Sequence, residues 1–351
     1  MMAPTYHFLD KYKRLPVTSK LLIQQLCSVF FGSLLILNLL QQGLFTARTP
    51  RCFAATFQYQ TPFQIMAIEN RYISLGGHRH RFIDTGGDKP VMLLLHGISS
   101  SLEFYGHSIA LLAGSFRILA IDLLGFGESD KPQNVPYSLH FYADLIHNFL
   151  VRTGVADGPV YGTGHSMGGK YLLATALLYP GIFSKMVLSN TDGFIVLPSL
   201  ARALSLPGVR HLLKPIVTGE KIANRMFNSA LHNRKAIDDN LYRRLLDIAR
   251  DHDAFETTMS LNRNMLKLDM KRTGLRARLG ELKQPVLIIW GDRDQYMSPK
   301  IAHIVRKELP CSTLHVFKNC GHCPMLEYPE QFSSTITAFI LQESTTQDPC
   351  S

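Results

Sequence analysis

From residue 72 onward, short apolar runs rich in β-branched residues alternate with stretches in which apolar positions recur every three or four residues. The runs occupy 72–75, 79–84, 91–95, 116–122, 160–165, 186–189, 286–290 and 313–317. The first two flank Gly76-Gly77 and predict a hairpin. The later ones are apolar nearly throughout, as expected of strands covered on both faces. Helical periods fall at about 103–113, 138–153, 168–179, 299–309 and 329–342. Such an order predicts an α/β fold, with a mainly parallel twisted sheet and helices on both of its faces. Residues 192–283 break the alternation with helical periods only, and an insertion of that kind reads as a cap. Within it, Asp253-Ala254-Phe255-Glu256 has capping-box spacing and predicts a helix opening at Asp253.

Ahead of this pattern the chain changes character. Residues 21–47 carry no charge, and 14 of the 20 positions in 21–40 are apolar. At about 1.5 Å per residue, 20 helical residues match the ~30 Å hydrocarbon core of a bilayer. Lys11, Lys13, Arg14 and Lys20 precede the stretch, while Arg48 and Arg51 follow it. The positive-inside rule then puts the short N-terminus in the cytoplasm and the main domain outside it, on a single-pass anchor. Two rival readings are an exported chain cleaved near Cys52-Phe53-Ala54 and a core helix of the globular part. The organisation expected is 1–55 anchor or signal peptide, 56–191 and 284–345 core, 192–283 helical cap and 346–351 loose tail.

Composition narrows the class. The 351 residues are 46% apolar and 18% charged, which excludes a disordered or collagen-like chain, and six Cys are too sparse for a disulfide-built mini-fold. The formal net charge of +10 is unevenly spread. Residues 1–51 carry six basic side chains against Asp10, and residues 194–283 hold 17 basic against 9 acidic. The second excess fits a solvated helical surface or an anionic membrane partner equally well. No recognition motif accompanies it, so nucleic acid is not expected as a partner.

Candidate chemistry gathers where predicted strands end. The run 160–165 leads into Gly164-His165-Ser166-Met167-Gly168-Gly169 and then a helical period. G-x-S-x-G between a strand and a helix is a nucleophile elbow. Its turn is so tight that only small residues fit two places before and after the serine, and Gly164 and Gly168 stand there. A serine needs a base, and the base needs a carboxylate to hold its tautomer. His322 follows the run 313–317, and Asp294 follows 286–290 with Asp292 as a competitor. All three groups therefore reach the carboxyl edge of the sheet. The run 91–95 ends in His96-Gly97-Ile98, where Gly97 lets the backbone come close. The amides of Ile98 and Met167 are the candidate oxyanion donors. His96 reads as a buried structural residue.

These stretches resemble the α/β-hydrolase superfamily. The likeness is carried by Leu94-Leu95-His96-Gly97, Asp122-Leu123-Leu124-Gly125-Phe126-Gly127-Glu128-Ser129, residues 164–169, residues 291–294 and Gly321-His322-Cys323-Pro324. It implies an α/β-hydrolase fold in which Ser166 is the nucleophile, His322 the base and Asp294 the acid. It also implies a pocket shaped by the cap, a structural turn at 122–129, and neither cofactor nor metal. A serine nucleophile disfavours the dehalogenase and epoxide hydrolase branches. The reading expected is a serine esterase or lipase-like hydrolase acting on a hydrophobic acyl substrate, since the cap opens with the apolar segment 194–200. A C–C bond hydrolase of meta-cleavage type is the alternative enzyme, and a silent binding protein on the same fold is the alternative of another class. Cys320-Gly321-His322-Cys323 also spells a dithiol motif. It overlays the histidine loop, lacks a thioredoxin-like context and lacks the two further ligands a zinc site needs, so it reads as a decoy.

Overall fold

The computed structural model describes residues 69–195 and 203–342. The apolar stretch 21–40, the 52–54 segment and the tail 346–351 lie outside the described residues, among which no helix is long and apolar enough to cross a membrane. Eight strands form one sheet: β1 (Arg71–Leu75), β2 (His78–Asp84), β3 (Val91–Leu95), β4 (Arg117–Ile121), β5 (Val160–His165), β6 (Lys185–Ser189), β7 (Val286–Gly291) and β8 (Ser312–Phe317). Their order is β1-β2-β4-β3-β5-β6-β7-β8. β2 runs antiparallel to β1 and β4, and the remaining pairs are parallel.

The continuous apolar runs have a physical cause. Leu93, Leu95, Leu119 and Ile121 point to one face, where they pack under α2 (Leu139–Arg152), α3 (Met167–Leu178) and α9 (Lys300–Glu308). The alternate positions Met92, Leu94, Ile118 and Ala120 point to the other, under α1 (Gly106–Leu112), α10 (Pro324–Glu327) and α11 (Pro329–Leu341). Each fully buried Leu or Ile stabilises by about 1.5–3 kcal/mol, so neither face can be polar.

Between β6 and β7 lie α4 (Pro207–Val217), α5 (Glu220–Ala230), α6 (Asp239–Ala249), α7 (His252–Arg263) and α8 (Met265–Leu268). Phe227 and Leu245 join the second core cluster, whereas Leu275, Leu279 and Leu282 return to the first. One expectation is corrected. Helix α7 opens at His252, not Asp253, because Asp251 is the N-cap and accepts from the Asp253 and Ala254 amides, both at 2.8 Å. Asp253 falls in the first turn, where its charge suits the helix dipole. Glu256 does not close a capping box; it pairs with Arg210 and Lys214 of α4. The expected helix at 103–113 is also divided, into a 3-10 turn at Leu102–Tyr105 followed by α1.

Strand order reverses at β3, which lies between β4 and β5. Residues just beyond the carboxyl ends of β3 and β5 therefore face an open crevice, the usual ligand site of such sheets.

Candidate active site

Ser166 joins β5 to α3 with φ 51° and ψ −118°. A non-glycine residue there costs of order 1–3 kcal/mol, so the surrounding contacts must hold it. Its amide donates to Ser189 O at 2.9 Å, and its carbonyl accepts from the Gly169 amide at 3.1 Å. A Cβ at Gly164 would lie 2.6 Å from Gly169 Cα, and one at Gly168 would lie 2.6 Å from the His96 carbonyl oxygen. Neither position has room for alanine. Among the described residues, four that are not glycine have positive φ: Ser99, Ser166, Asn190 and Asn319. Each follows the carboxyl end of a strand (β3, β5, β6 and β8), so backbone strain is concentrated along one edge.

That edge also brings the predicted polar groups together. His322 Nδ1 donates to Asp294 Oδ2 at 2.8 Å, leaving Nε2 as the free basic nitrogen. Asp294 Oδ1 accepts the amides of Tyr296 and Met297 at 2.8 and 2.9 Å, and Oδ2 also accepts Asn190 Nδ2 at 2.7 Å. Burial pushes the Asp294 carboxyl up, but the His322 ring and these donors outweigh it and hold it below the usual carboxylate range. Asp292 takes a different part: its carboxylate accepts the Cys320 amide at 3.4 Å. Ser166 and His322 line one cavity of about 500 Å³, together with Gly97, Ile98 and Met167.

The loop carrying Gly97 and Ile98 is braced from below. His96 Nδ1 donates to Gly97 O at 2.7 Å while Nε2 accepts the Leu123 amide at 2.9 Å, so both ring nitrogens are occupied by backbone. A buried ion cluster holds the next turn. Arg81 donates to Asp122 Oδ2 at 2.7 Å and to both Glu103 oxygens at 2.6–2.7 Å, and Asp122 Oδ1 accepts the Leu102 amide at 2.8 Å. Burial raises the Glu103 carboxyl, yet Arg81 overrides this and brings it down to about 2. Arg244 of α6 reaches the same carboxylate at 2.9 Å and ties the helical insertion to this loop.

Cys320 and Cys323 are buried free thiols. Burial, with Glu327 adding repulsion, pushes both well above the ordinary thiol range. An activated dithiol needs the opposite shift. Among the described residues no cluster of three or more His, Cys, Asp or Glu is arranged to hold a metal.

A sequence profile described as the alpha/beta hydrolase fold matches residues 90–329. The chain belongs to the α/β-hydrolase family. This hydrolase is 27% identical over 284 residues to the 2-hydroxy-6-oxo-6-(2'-aminophenyl)hexa-2,4-dienoic acid hydrolase of Metapseudomonas resinovorans, covering 78% of the chain and 91% of that protein. It is also 27% identical over 254 residues to the uncharacterized hydrolase YugF of Bacillus subtilis, covering 72% and 90%. Among solved structures, a bacterial membrane phospholipase A superposes with a TM-score of 0.66 at 23% identity, over 78% of this chain and 86% of that one. At that identity the likeness is one of fold.

Several contributors to the site were not read from the sequence. Asn190 follows β6 as directly as Ser166 follows β5, and a survey of polar residues after every strand would have found it. Glu327 accepts the amides of Gly321, His232 and Asn233 at 2.7–2.9 Å and so joins the histidine loop to the residues after α5. His165 donates from Nε2 to His322 O at 2.8 Å. These two act across long sequence separations and carry no local signal.

Proposed function

We propose that this hydrolase cleaves a carboxylic ester with an apolar acyl chain through an acyl-enzyme. The observation that carries the reading is the Asp294–His322 hydrogen bond placed over a cavity that Ser166 also lines. In this mechanism His322 Nε2 takes the Ser166 proton as Oγ attacks the ester carbonyl. Asp294 holds the imidazole tautomer and stabilises the imidazolium. The amides of Ile98 and Met167 receive the oxyanion, with the N-terminus of α3 adding a favourable dipole. Collapse transfers the imidazole proton to the alcohol and leaves the acyl group on Ser166. Water, deprotonated by His322, then releases the acid.

The cavity lining supports an ester over a dienoate. Its Lys, Arg, Asp and Glu side chains are Lys170, Asp192 and Asp269, and Lys170 is already bonded to Asp192 at 2.5 Å. Among the described lining residues, no further Lys or Arg is available for the carboxylate that the name of the Metapseudomonas relative specifies. The rest is largely apolar, with Met167, Met226, Met265, Met270 and Met297 able to adapt to a chain. Membrane attachment through residues 21–40 is part of the same proposal, resting on their uncharged, apolar sequence.

The test pairs a fluorophosphonate probe with a panel of p-nitrophenyl esters from two to twelve carbons and a meta-cleavage dienoate. Labelling that Ser166→Ala abolishes, with turnover rising along the ester series, supports the proposal. Turnover of the dienoate alone would replace it with C–C hydrolysis, and failure to label would favour a silent binding protein. Carbonate extraction of the full chain against one beginning at Thr56 tests the attachment.

A further inference from the structure

Helix α4 is inside out. Across 206–215 the exposed residues are Leu206, Pro207, Gly208, Val209, His211, Leu212 and Pro215, of which only His211 is polar. Leu212 is 74% exposed and Leu206 53%. The charged residues of the helix turn the other way: Arg210 and Lys214 approach Glu256 of α7 at 3.4 and 3.3 Å. An ordinary surface helix shows the reverse arrangement, with its apolar stripe inward. The inner attachment is thin. Leu213 and Val217 pack on the small cluster of Phe255 and Met259, and no residue of α4 is fully buried.

The helix adjoins the site. Val217 at the end of α4 lines the cavity, as does Ile195, which is itself 41% exposed. On the segment after α7, Leu266 is exposed while its neighbours Met265 and Leu268 line the cavity. Charge identifies the occupant. Lys221, Lys267, Lys271 and Arg272 are exposed near these apolar positions in the chain and make no ion pair among the described residues, while the exposed Glu220 approaches Arg250. An apolar face with cations beside it matches an anionic lipid surface. A second copy of a chain carrying +10 would set like charges against each other.

We infer that α4 seats the mouth of the cavity on an anionic bilayer, so that an apolar ester enters without crossing water. The purpose of this contact rests on the hydrolase reading above, but the contact itself is measured separately. The chain has a single Trp, Trp290, which is fully buried, so Leu212→Trp in the full chain adds one exposed indole. Phosphatidylglycerol vesicles are expected to shift its emission to the blue, and brominated lipids to quench it. Phosphatidylcholine vesicles or high salt should weaken both effects. Because the indole reports on α4 itself, the signal is independent of any hold exerted by residues 21–40. Leu206→Asp with Leu212→Asp should lower the rate on a vesicle-borne ester by about tenfold or more while leaving that on a short soluble ester unchanged. Emission indifferent to lipid overturns the inference. So does emission already blue-shifted without lipid, which would show the face covered by the chain itself, or a shift that follows protein concentration, which would show a second copy. Loss of the hydrolase reading would appear instead as no turnover of either ester, with the spectral shift intact.

Discussion

Asn190 holds its side-chain amide 2.7 Å from Asp294 Oδ2, the oxygen that also accepts His322 Nδ1. With Oδ1 occupied by two backbone amides, the carboxylate is fixed in both position and rotation. Asn190 sits at φ 45°, so glycine is the substitution that keeps the backbone while removing the amide. Asn190→Gly is expected to lower kcat by about 10- to 100-fold, by analogy with the loss when a hydrogen-bond partner that orients a metal-bound side chain is removed. KM should barely change, because Asn190 does not line the cavity. An equal fall in binding and turnover would mean that the whole loop had moved.

The two carboxylates after β7 should separate cleanly. Asp294→Asn is expected to lose on the order of 10⁴ in turnover, since an amide in that place favours the wrong imidazole tautomer. Asp292→Asn should stay within a few-fold, because its carboxylate meets the Cys320 amide at 3.4 Å and the Arg293 guanidinium at 3.9 Å rather than His322. Steady-state kinetics on a soluble ester decide between them.

Arg81 has no exposed surface to speak of and faces Glu103, Asp122 and Glu128. Removing it leaves the buried Asp122 without its guanidinium and Glu103 with Arg244 alone, and one-sided breakage of a buried pair costs about 3–5 kcal/mol. Arg81→Met should therefore lower stability by that amount in urea unfolding. Residual folded protein should also lose activity, since the cluster braces the loop bearing Ile98.

The buried thiols offer a chemical check. Cys320 and Cys323 should resist alkylation in the native protein and react only after unfolding, and reductant should leave ester turnover unchanged. Mass mapping of the alkylated peptides reads this directly. Native-state reaction at either thiol would reopen a redox reading of the motif.

How much of this was legible in the sequence depended on range. The central strands β3 to β7 were visible because burial on both faces forces apolar runs, while β1 and β2 were visible from the Gly76-Gly77 turn between them; bounds shifted by only a residue or so, as at β6, which begins at Lys185. Ser166, Asp294 and His322 stood out as candidates because Ser166 directly follows β5, and the loops that leave β7 and β8 carry Asp294 and His322 within a few residues of the strand ends. The opening of α7 was misplaced because Asp251 and Asp253 both fit a cap, and only tertiary pairing assigns Glu256 to Arg210 and Lys214. Arg81 gave no warning at all. A charged residue in a two-stranded hairpin looks solvated until the partners supplied by residues 103 and 122 are known.

Acid sensitivity should follow from buried neutral histidines. His80 is fully buried on β2, between β1 and β4, with Nδ1 near the His78 carbonyl at 3.0 Å and Nε2 without a hydrogen-bond partner among the described residues. Burial lowers its pKa to about 4, and burial together with repulsion from His322 lowers that of His165 to about 3. In the unfolded chain both would titrate near 6.5. Between these values the unfolded state binds more protons, so stability rises with pH. The contribution is complete above about 6.5 and is lost as pH falls towards the folded values. Each histidine adds a slope of up to about 1.4 kcal/mol per pH unit in that window. His80 lies outside the cavity, so His80→Gln tests the effect without disturbing the site. Urea unfolding from pH 7 to pH 4.5 should show a shallower loss of stability in this variant than in the parent, by on the order of 1 kcal/mol per pH unit. Parallel curves for the two proteins would show that His80 takes up its proton equally in the folded and unfolded states and that acid sensitivity arises elsewhere.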